Sequence, residues 1–386
     1  MLYFGGLGEN HYIPRTFVEV TGLSLSRFLE LSLAFHAAFI EDGRFRNRIG
    51  NQWFGGIAHS GNAGDIERFM RLLSAPLTTI RKALRARDAK TVQAGRVPRA
   101  ASEYAEQTPL MQTPLLPLAT GGYLVLNPCL LENCLANLVY NTLRNHHVQN
   151  FMGPFGDIFE DYVRLAVQYS GLQHRDENEL KKLLNAKQGR NLIDFVIADG
   201  DGHVFLDAKA AEMNYRGTVT NDAFELAELL DTSLLKAVKQ ANSVAADLGR
   251  LNSSDPVFGP KSKKYLVVVT YARMHIGSGR ALVESVGMTA IEAIIADQPG
   301  GLRIPIENMY FLTIEEFEGL VSHVAAGSVG LIDALERAKA ADVNPETRTF
   351  MFEQHLAQWG MGGAAPDYLI DTTTKALTKI AESLQE

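Results

Sequence analysis

Two β-rich segments near the middle of the chain carry the residues whose types and spacing could do chemistry. They flank Asp199-Gly200-Asp201-Gly202, which is typical of a tight hairpin turn. If Gly200-Asp201 is the central pair of a type II′ turn, Asp194 lies directly across from Asp207. Side chains alternate between the faces of a strand, so any two-residue loop places Asp194, Asp207 and Lys209 on one face. Two acids beside an amine could hold a metal ion and position a water molecule.

The neighbours of these three residues predict a buried site. Apolar residues occupy both faces of the two segments. The face of the acids carries Leu192, Val196 and Phe205, and the opposite face carries Ile193, Phe195, Ile197, Val204 and Leu206. A strand pair that is apolar on both faces is typical of the centre of a sheet. Two carboxylates about 5 Å apart are costly there unless a cation holds them.

Mg²⁺ fits such an acid pair best, because it binds one or two carboxylates together with water molecules and phosphate oxygens. Mn²⁺ is the alternative ion. The competing interpretation is a surface hairpin whose Asp and Lys side chains face solvent and form weak ion pairs. The apolar residues on both faces favour the buried metal site over that interpretation.

The segments around the hairpin predict the elements that must position it. Predicted strands cover residues 191–198, 203–210, 265–271 and 309–313. Predicted helices cover residues 155–169, about 232–251 and about 280–296. The order helix, strand, strand, helix, strand, helix, strand predicts an α/β core with a mixed central sheet flanked by helices.

The chain is long enough for more than one domain. Residues 1–150 are predicted to form a mainly helical domain for recognition, dimerisation or regulation, 151–345 the catalytic domain, and 346–386 a hinge and a helix. Within the first domain, helices are expected at 24–40, 65–73 and 130–143, whereas the proline-marked stretch 98–128 favours short helices or none. The last helix is expected at 372–384.

Composition limits the class of protein. The 386 residues are 46% hydrophobic and 21% charged, which is typical of a globular protein, and no apolar stretch is long enough for a membrane span. Cys129 and Cys134 cannot form a disulfide framework, which favours the cytoplasm. The net charge of −7 means that any nucleic-acid binding must come from a local basic surface. A homo-oligomer is expected.

The pattern Asp194 … Asp207-Ala208-Lys209 resembles the D…(D/E)xK signature of the PD-(D/E)XK nuclease superfamily, which has the restriction-endonuclease-like fold. The resemblance covers roughly residues 151–320, and the elements follow in the order of that family. Three differences exist, and each lies outside the acids and the lysine. Ile193 replaces the proline, Val244 replaces a tyrosine of the RecB-like branch, and about twenty residues (211–231) separate Lys209 from the next helix.

The resemblance implies roles for individual residues. In such nucleases the two acids bind Mg²⁺, here Asp194 and Asp207, and the lysine orients or activates the attacking water, here Lys209. The Ala208 carbonyl would be a further ligand. An acid on the preceding helix often completes the site; Glu160 fits this place, with Asp157 and Asp161 as substitutes. Several members carry Gln or Lys on the following helix, where this chain has Gln240 and Lys239.

The resemblance therefore implies a Mg²⁺-dependent nuclease, with DNA favoured over RNA as substrate. Three basic groups could bind the substrate: Lys181, Lys182, Lys187 and Arg190; Lys261, Lys263 and Lys264; and the segment 81–99. One alternative is a catalytically weak nucleic-acid-binding or scaffolding module on the same fold. The other is a different metal-dependent phosphohydrolase or ligand sensor. By analogy, a nuclease with a large additional domain suggests microbial defence against phages or plasmids, with a separate partner protein.

Overall fold

The computed structural model describes residues 2–40, 48–50, 63–93, 95, 108–186, 190, 192–213, 215–251, 255, 257–296 and 301–383. The chain divides into two compact units. The first unit contains residues 1–154 together with 368–386, and the second contains residues 155–367. The segment 346–386 is therefore shared between the two units.

The first unit is mainly helical, as predicted. Its helices are α1 (Leu2–Gly5), α2 (Tyr12–Thr21), α3 (Leu25–Ile40), α4 (Ala63–Leu73), α5 (Leu77–Gln93) and the first part of α6 (Pro128–Tyr169). The side chains of Phe17, Phe28 and Phe69 pack in its core. The ring centroids of Phe17 and Phe28 lie 5.4 Å apart, and those of Phe28 and Phe69 lie 5.7 Å apart. The predicted helices at 24–40 and 65–73 are confirmed within about two residues.

A small antiparallel sheet in this unit was not predicted. Its strands are β1 (Arg48–Ile49), β2 (Leu115–Pro117) and β3 (Tyr123–Val125), in the order β1-β3-β2. Strands β2 and β3 lie in the proline-marked stretch. The helical structure in the described residues 108–127 is limited to one 3-10 turn. Helix α6 joins the two helices predicted at 130–143 and 155–169, with non-helical backbone at His147 (φ −158°, ψ 87°).

The second unit contains a mixed five-stranded sheet, which confirms the predicted α/β class. Its strands are β4 (Gln173–Asp176), β5 (Phe195–Asp199), β6 (Gly202–Lys209), β7 (Lys263–Thr270) and β8 (Met309–Thr313), in the order β4-β5-β6-β7-β8. Strands β4, β5 and β6 pair antiparallel, whereas β6, β7 and β8 pair parallel. The hairpin strands β5 and β6 therefore lie inside the sheet, as their apolar faces predict.

The predicted register of the hairpin is confirmed. Phe195 pairs with Leu206 and Asp199 pairs with Gly202. Gly200 has φ of +51°, the left-handed value that the first central residue of a type II′ turn requires. One assignment to a face differs: Ile193 packs in the same buried cluster as Leu192, because β5 begins only at Phe195 and alternation does not extend back to Ile193.

Helices cover both faces of the sheet. Those of the second unit, after the end of α6, are α7 (Glu177–Leu183), α8 (Tyr215–Val219), α9 (Ala223–Leu230), α10 (Lys236–Leu248), α11 (Gly279–Val286), α12 (Met288–Ala296), α13 (Ile314–Ala325), α14 (Leu331–Val343), α15 (Phe352–Gln358) and the start of α16 (Asp367–Ser383). A π-helical turn, Asp231–Leu235, joins α9 to α10. The predicted helix at 280–296 is divided at Gly287, where φ is +81°.

The side chains of the strands show which helix covers which face. Val196, Phe205 and Val268 belong to one buried cluster with α10. Tyr265, which lies on the other face, donates a hydrogen bond to Glu336 on α14. The acids of the hairpin are therefore on the side covered by α10, where Asp207 is fully buried and Asp194 is partly exposed.

The close packing at the start of α11 gives a test of this fold. A side chain at Gly279 would collide with the Ile306 carbonyl oxygen, whereas one at Gly156 in α6 meets open space. We expect Gly279→Ala to lower the free energy of unfolding by about 1–3 kcal/mol, because backbone must shift. Gly156→Ala is the matched control; it should leave stability unchanged or raise it by about 0.5–1 kcal/mol. Equal stability of both variants in urea denaturation would contradict the packing.

Candidate active site

Asp194 and Asp207 are brought together by the hairpin. Asp207 lies on β6, and Asp194 lies one residue before β5, at the end of the paired ladder. The backbone N–H of Ala208 donates a hydrogen bond of 2.7 Å to Oδ2 of Asp194. This bond turns the Asp194 carboxyl group towards β6 and fixes it beside Asp207.

Asp207 is a buried acid with a single cationic contact. Its relative exposure is 0%. The Nζ atom of Lys209, two residues further along β6, contacts its Oδ2 atom. Within the part of the chain that the structure describes, no hydrogen bond of ordinary geometry reaches either carboxylate oxygen. Burial raises the pKa of Asp207, and the Lys209 charge opposes that shift.

Asp194 is affected by the same surroundings. Burial, and next the charge of Asp207, raise the pKa of Asp194 to about 8, against the opposing effects of Lys209 and the Ala208 N–H group. If both adjacent carboxyl groups ionise, the single charge of Lys209 offsets only one of the two negative charges. A proton on one of the two groups, or a metal ion between them, compensates the remaining charge.

This donor set fits Mg²⁺. Hard carboxylate oxygens are the ligands that this ion prefers, and Asp207 offers two buried oxygens beside the Lys209 ammonium group. The described residues contain no group of three or more His, Cys, Asp or Glu that could hold a metal ion. The chain therefore offers two carboxylates, and an ion held there would need water molecules or substrate oxygens for its other positions.

Glu160, predicted as the third acid, is engaged elsewhere in this structure. Its Oε1 atom accepts a hydrogen bond of 2.9 Å from Arg164, one turn further along α6. The same guanidinium group binds Asp176 at 3.1 Å. Burial raises the pKa of Glu160, and its charge contributes to the raised pKa of Asp194. Glu160 thus lies near enough to influence the acid pair while its side chain points to Arg164.

The two other acids considered on this helix interact with residues of the same helix. Asp161 lies 3.6 Å from the Nε atom of Arg164, and its side chain is 77% exposed. Asp157 raises the pKa of Glu160 by its charge.

Helix α10 contributes a glutamine and an unpredicted lysine. Gln240 donates a hydrogen bond of 3.0 Å from Nε2 to the Leu192 carbonyl oxygen, and its buried Oε1 atom has no partner among the described residues. The charge of Lys236, four residues earlier, lowers the pKa of Asp207. Residues four apart share a helix face, so the sequence contained the signal for Lys236. Lys239, the other predicted candidate, is exposed, as is Lys236.

Most cations of the two predicted basic groups near the hairpin bind acids or backbone oxygens of the protein itself. Arg190 binds Asp247 at 2.6 Å and Lys181 binds Glu177 at 2.6 Å. Lys263 lies 3.4 Å from Asp201. Lys261 donates a hydrogen bond to the Gly200 carbonyl oxygen, and Lys187 lies outside the described residues. These pairs reduce the charge that either group could offer to a phosphate chain.

Comparison of the chain with known protein families, with curated proteins and with solved structures found no match. Among the described helices, none combines the length and the apolar character that crossing a membrane requires. The acids, the lysines and the sheet that positions them are therefore the features from which a function can be inferred.

Proposed function

We propose that this protein is a Mg²⁺-dependent nuclease with a restriction-endonuclease-like core of the PD-(D/E)XK type, and that DNA is its substrate. The observation that carries the proposal is Asp207, a buried acid on a central strand, beside Asp194 and in contact with Lys209. The sheet supports it, because an antiparallel hairpin that continues into parallel strands through a helix matches the order that the resemblance implies.

Each residue has a role in this proposal. Asp194 and Asp207 would hold Mg²⁺, with the Ala208 carbonyl as a further oxygen ligand. When bound, the ion would lower the pKa of a water molecule and offset the charge of the phosphodiester. Lys209 would hold the attacking water by a hydrogen bond, and its charge would stabilise the transition state. Gln240 has a buried acceptor, Oε1, that could orient the same water.

The direct test is an activity assay on the purified chain. Supercoiled DNA, linear duplex DNA, single-stranded DNA and RNA are each incubated with Mg²⁺ or with EDTA. We expect cleavage of DNA in Mg²⁺ and none in EDTA. Cleavage that persists in EDTA, or cleavage of RNA alone, would contradict the proposal. Nicked circles as the first product from supercoiled DNA would indicate an endonuclease.

A second candidate is a nucleic-acid-binding module with little turnover. The observation that favours it is the ion pair of Glu160 with Arg164, which leaves two acids rather than three at the site. In that case the protein would bind DNA in the same assay and leave every substrate intact in both Mg²⁺ and Mn²⁺. Release of Glu160 by Arg164→Ala distinguishes an inactive module from a site held in an inactive arrangement.

Lys236 provides a prediction within the proposed site. Its charge acts on Asp207, so its loss should weaken the binding of the phosphodiester and of its transition state. A partly screened charge near the site contributes about 1–2 kcal/mol, which corresponds to roughly a tenfold change in rate. We expect Lys236→Ala to lower kcat/KM for DNA cleavage by about this factor, measured with a labelled duplex.

The control for Lys236→Ala is Lys375→Ala, which removes an exposed lysine of α16. It should cleave like the wild type. If both variants cleave DNA at the wild-type rate, Lys236 has no role at the site.

A further inference from the structure

Helix α5 is a strongly basic element that the proposed active site does not use. It contains five basic residues and one acid, Asp88, and so has a net charge of +4 in a chain of net charge −7. Ile80 is its only buried residue. A helix that is polar around most of its circumference contributes little to a core, so its surface is available for another role.

Four of the five cations of α5 differ from those beside the hairpin, because no acid of the described residues neutralises them. Among the described residues, no acidic side chain pairs with Arg81, Lys82, Arg85 or Lys90. Arg190 and Lys263, by contrast, each bind an acid of the second unit. The charges of these four side chains can therefore act on an external anion.

These residues also have a favourable arrangement on the helix. At 100° per residue, Lys82 and Arg85 lie on the same side as Ala86 and Ala89, opposite the buried Ile80. All four are exposed. Two short side chains between long cationic ones let the backbone of a helix approach a polyanion closely. The face has no large apolar residue at its centre, which disfavours an apolar protein partner.

We propose that α5 binds the phosphate backbone of double-stranded DNA. A rigid helix of 17 residues, about 25 Å long, presents its charges at fixed spacings that suit a rigid duplex. Proteins that bind single strands rely on aromatic side chains for stacking, and α5 has none. The inference deepens the proposed nuclease function by assigning a substrate-binding surface, but it concerns binding and requires no cleavage.

The test measures binding of the full chain to a labelled 20-base-pair duplex in EDTA by fluorescence anisotropy across a series of salt concentrations. We expect the double variant Lys82→Glu/Arg85→Glu to weaken binding at least tenfold. The slope of log Kd against log salt should fall by about 1.8, because each lost phosphate contact removes about 0.9. A Lys82→Arg/Arg85→Lys variant should bind like the wild type.

Lys375→Glu, on the exposed side of α16, controls for a general change of charge. Equal effects of this variant and the α5 double variant would overturn the proposal, as would wild-type binding by the double variant. Tighter binding of single-stranded DNA or RNA than of the duplex would overturn the choice of ligand. A change of oligomeric state with unchanged DNA binding would instead identify α5 as an interface between copies of the chain.

The outcomes separate this inference from the proposed function. If α5 variants lose duplex binding but the wild type never cleaves DNA in Mg²⁺, the α5 proposal stands and the nuclease proposal fails. If the wild type cleaves DNA and α5 variants bind it normally, only the α5 proposal fails.

Discussion

Asp207→Asn is expected to reduce Mg²⁺-dependent DNA cleavage by roughly 10³-fold or more, the scale of losing a main charge-stabilising group. The substitution keeps the size of the side chain but removes one of the two carboxylates that would hold the ion. Duplex binding in EDTA should remain near the wild-type value, because Asp207 is buried and does not contact solvent. Cleavage rates with saturating Mg²⁺ and anisotropy with the same duplex provide the two measurements.

Stability separates this effect from a folding defect. Asp207 carries a burial penalty, so its neutral isostere should unfold at the same urea concentration as the wild type or at a higher one. Asp371→Asn, an exposed acid of α16, is the matched control and should cleave normally. An Asp207→Asn protein that still cleaves DNA at a tenth of the wild-type rate would remove Asp207 from the mechanism.

Lys209→Met tests the amine at the same site. Methionine preserves much of the length of the lysine side chain, and we expect it to reduce cleavage by about 10²–10³-fold through loss of the charge and of the water contact. Lys375→Met serves as its control. Wild-type cleavage by Lys209→Met would show that the ion pair with Asp207 is structural rather than catalytic.

The second large effect concerns pH. The pKa of Asp194 is about 8 in the folded protein, whereas an aspartate in an unfolded chain titrates near 3.9. Between these values the folded state holds a proton that the unfolded state has lost. The free energy of unfolding must therefore fall as pH rises from about 4 to 8, and the stabilisation by that proton is absent above pH 8.

We expect Asp194→Asn to remove most of this slope. In EDTA, the wild type should lose about 4 kcal/mol of stability from pH 5 to pH 9, an upper value for one group, and the difference between wild type and variant isolates Asp194. Urea denaturation at pH 5, 7 and 9 measures it, with Asp371→Asn expected to follow the wild type. Parallel curves for wild type and Asp194→Asn would show that Asp194 is ionised throughout.

The stabilisation of the folded protein by Mg²⁺ should have the opposite pH dependence and increase as pH rises. An ion that binds the ionised acid pair competes with the proton, so addition of Mg²⁺ should raise Tm more at pH 8.5 than at pH 5.5. An excess of 100-fold over Kd contributes about 2.7 kcal/mol to folded-state stability. Asp207→Asn should abolish this increase, which tests metal binding without any measurement of cleavage.

The sequence predicted the hairpin register well because three local signals agreed. The turn residues, the β-rich flanks and the alternation of apolar residues all specify one pairing, and Gly200 adopts the left-handed backbone that the turn needs. The placement of Asp207 and Lys209 on one face follows from that register. Strand β4 escaped prediction because Gln173–Asp176 is a short, polar edge strand with no apolar alternation.

Tertiary ion pairs were the part of the site that the sequence could not specify. Arg190 binds Asp247, which is 57 residues away, and no local pattern relates the two. The contact of Glu160 with Arg164 is different, since the two are one helical turn apart and an i,i+4 pair is visible in the sequence. Lys236 could have been found by the same rule from Gln240.

The number of residues in the π-helical turn Asp231–Leu235 determines the direction in which the Lys236 side chain points. A turn of this kind accommodates one residue more than an α-helix does, so the side chains after it are rotated by about 100° relative to an uninterrupted helix. Helix α9 is anchored by Leu226 and Leu230, and α10 by Val238. A deletion of one residue here would displace one helix from its packing position or rotate Lys236 away from Asp207. Insertions and deletions should therefore be selected against at this point, even though Asp231 and Thr232 are exposed.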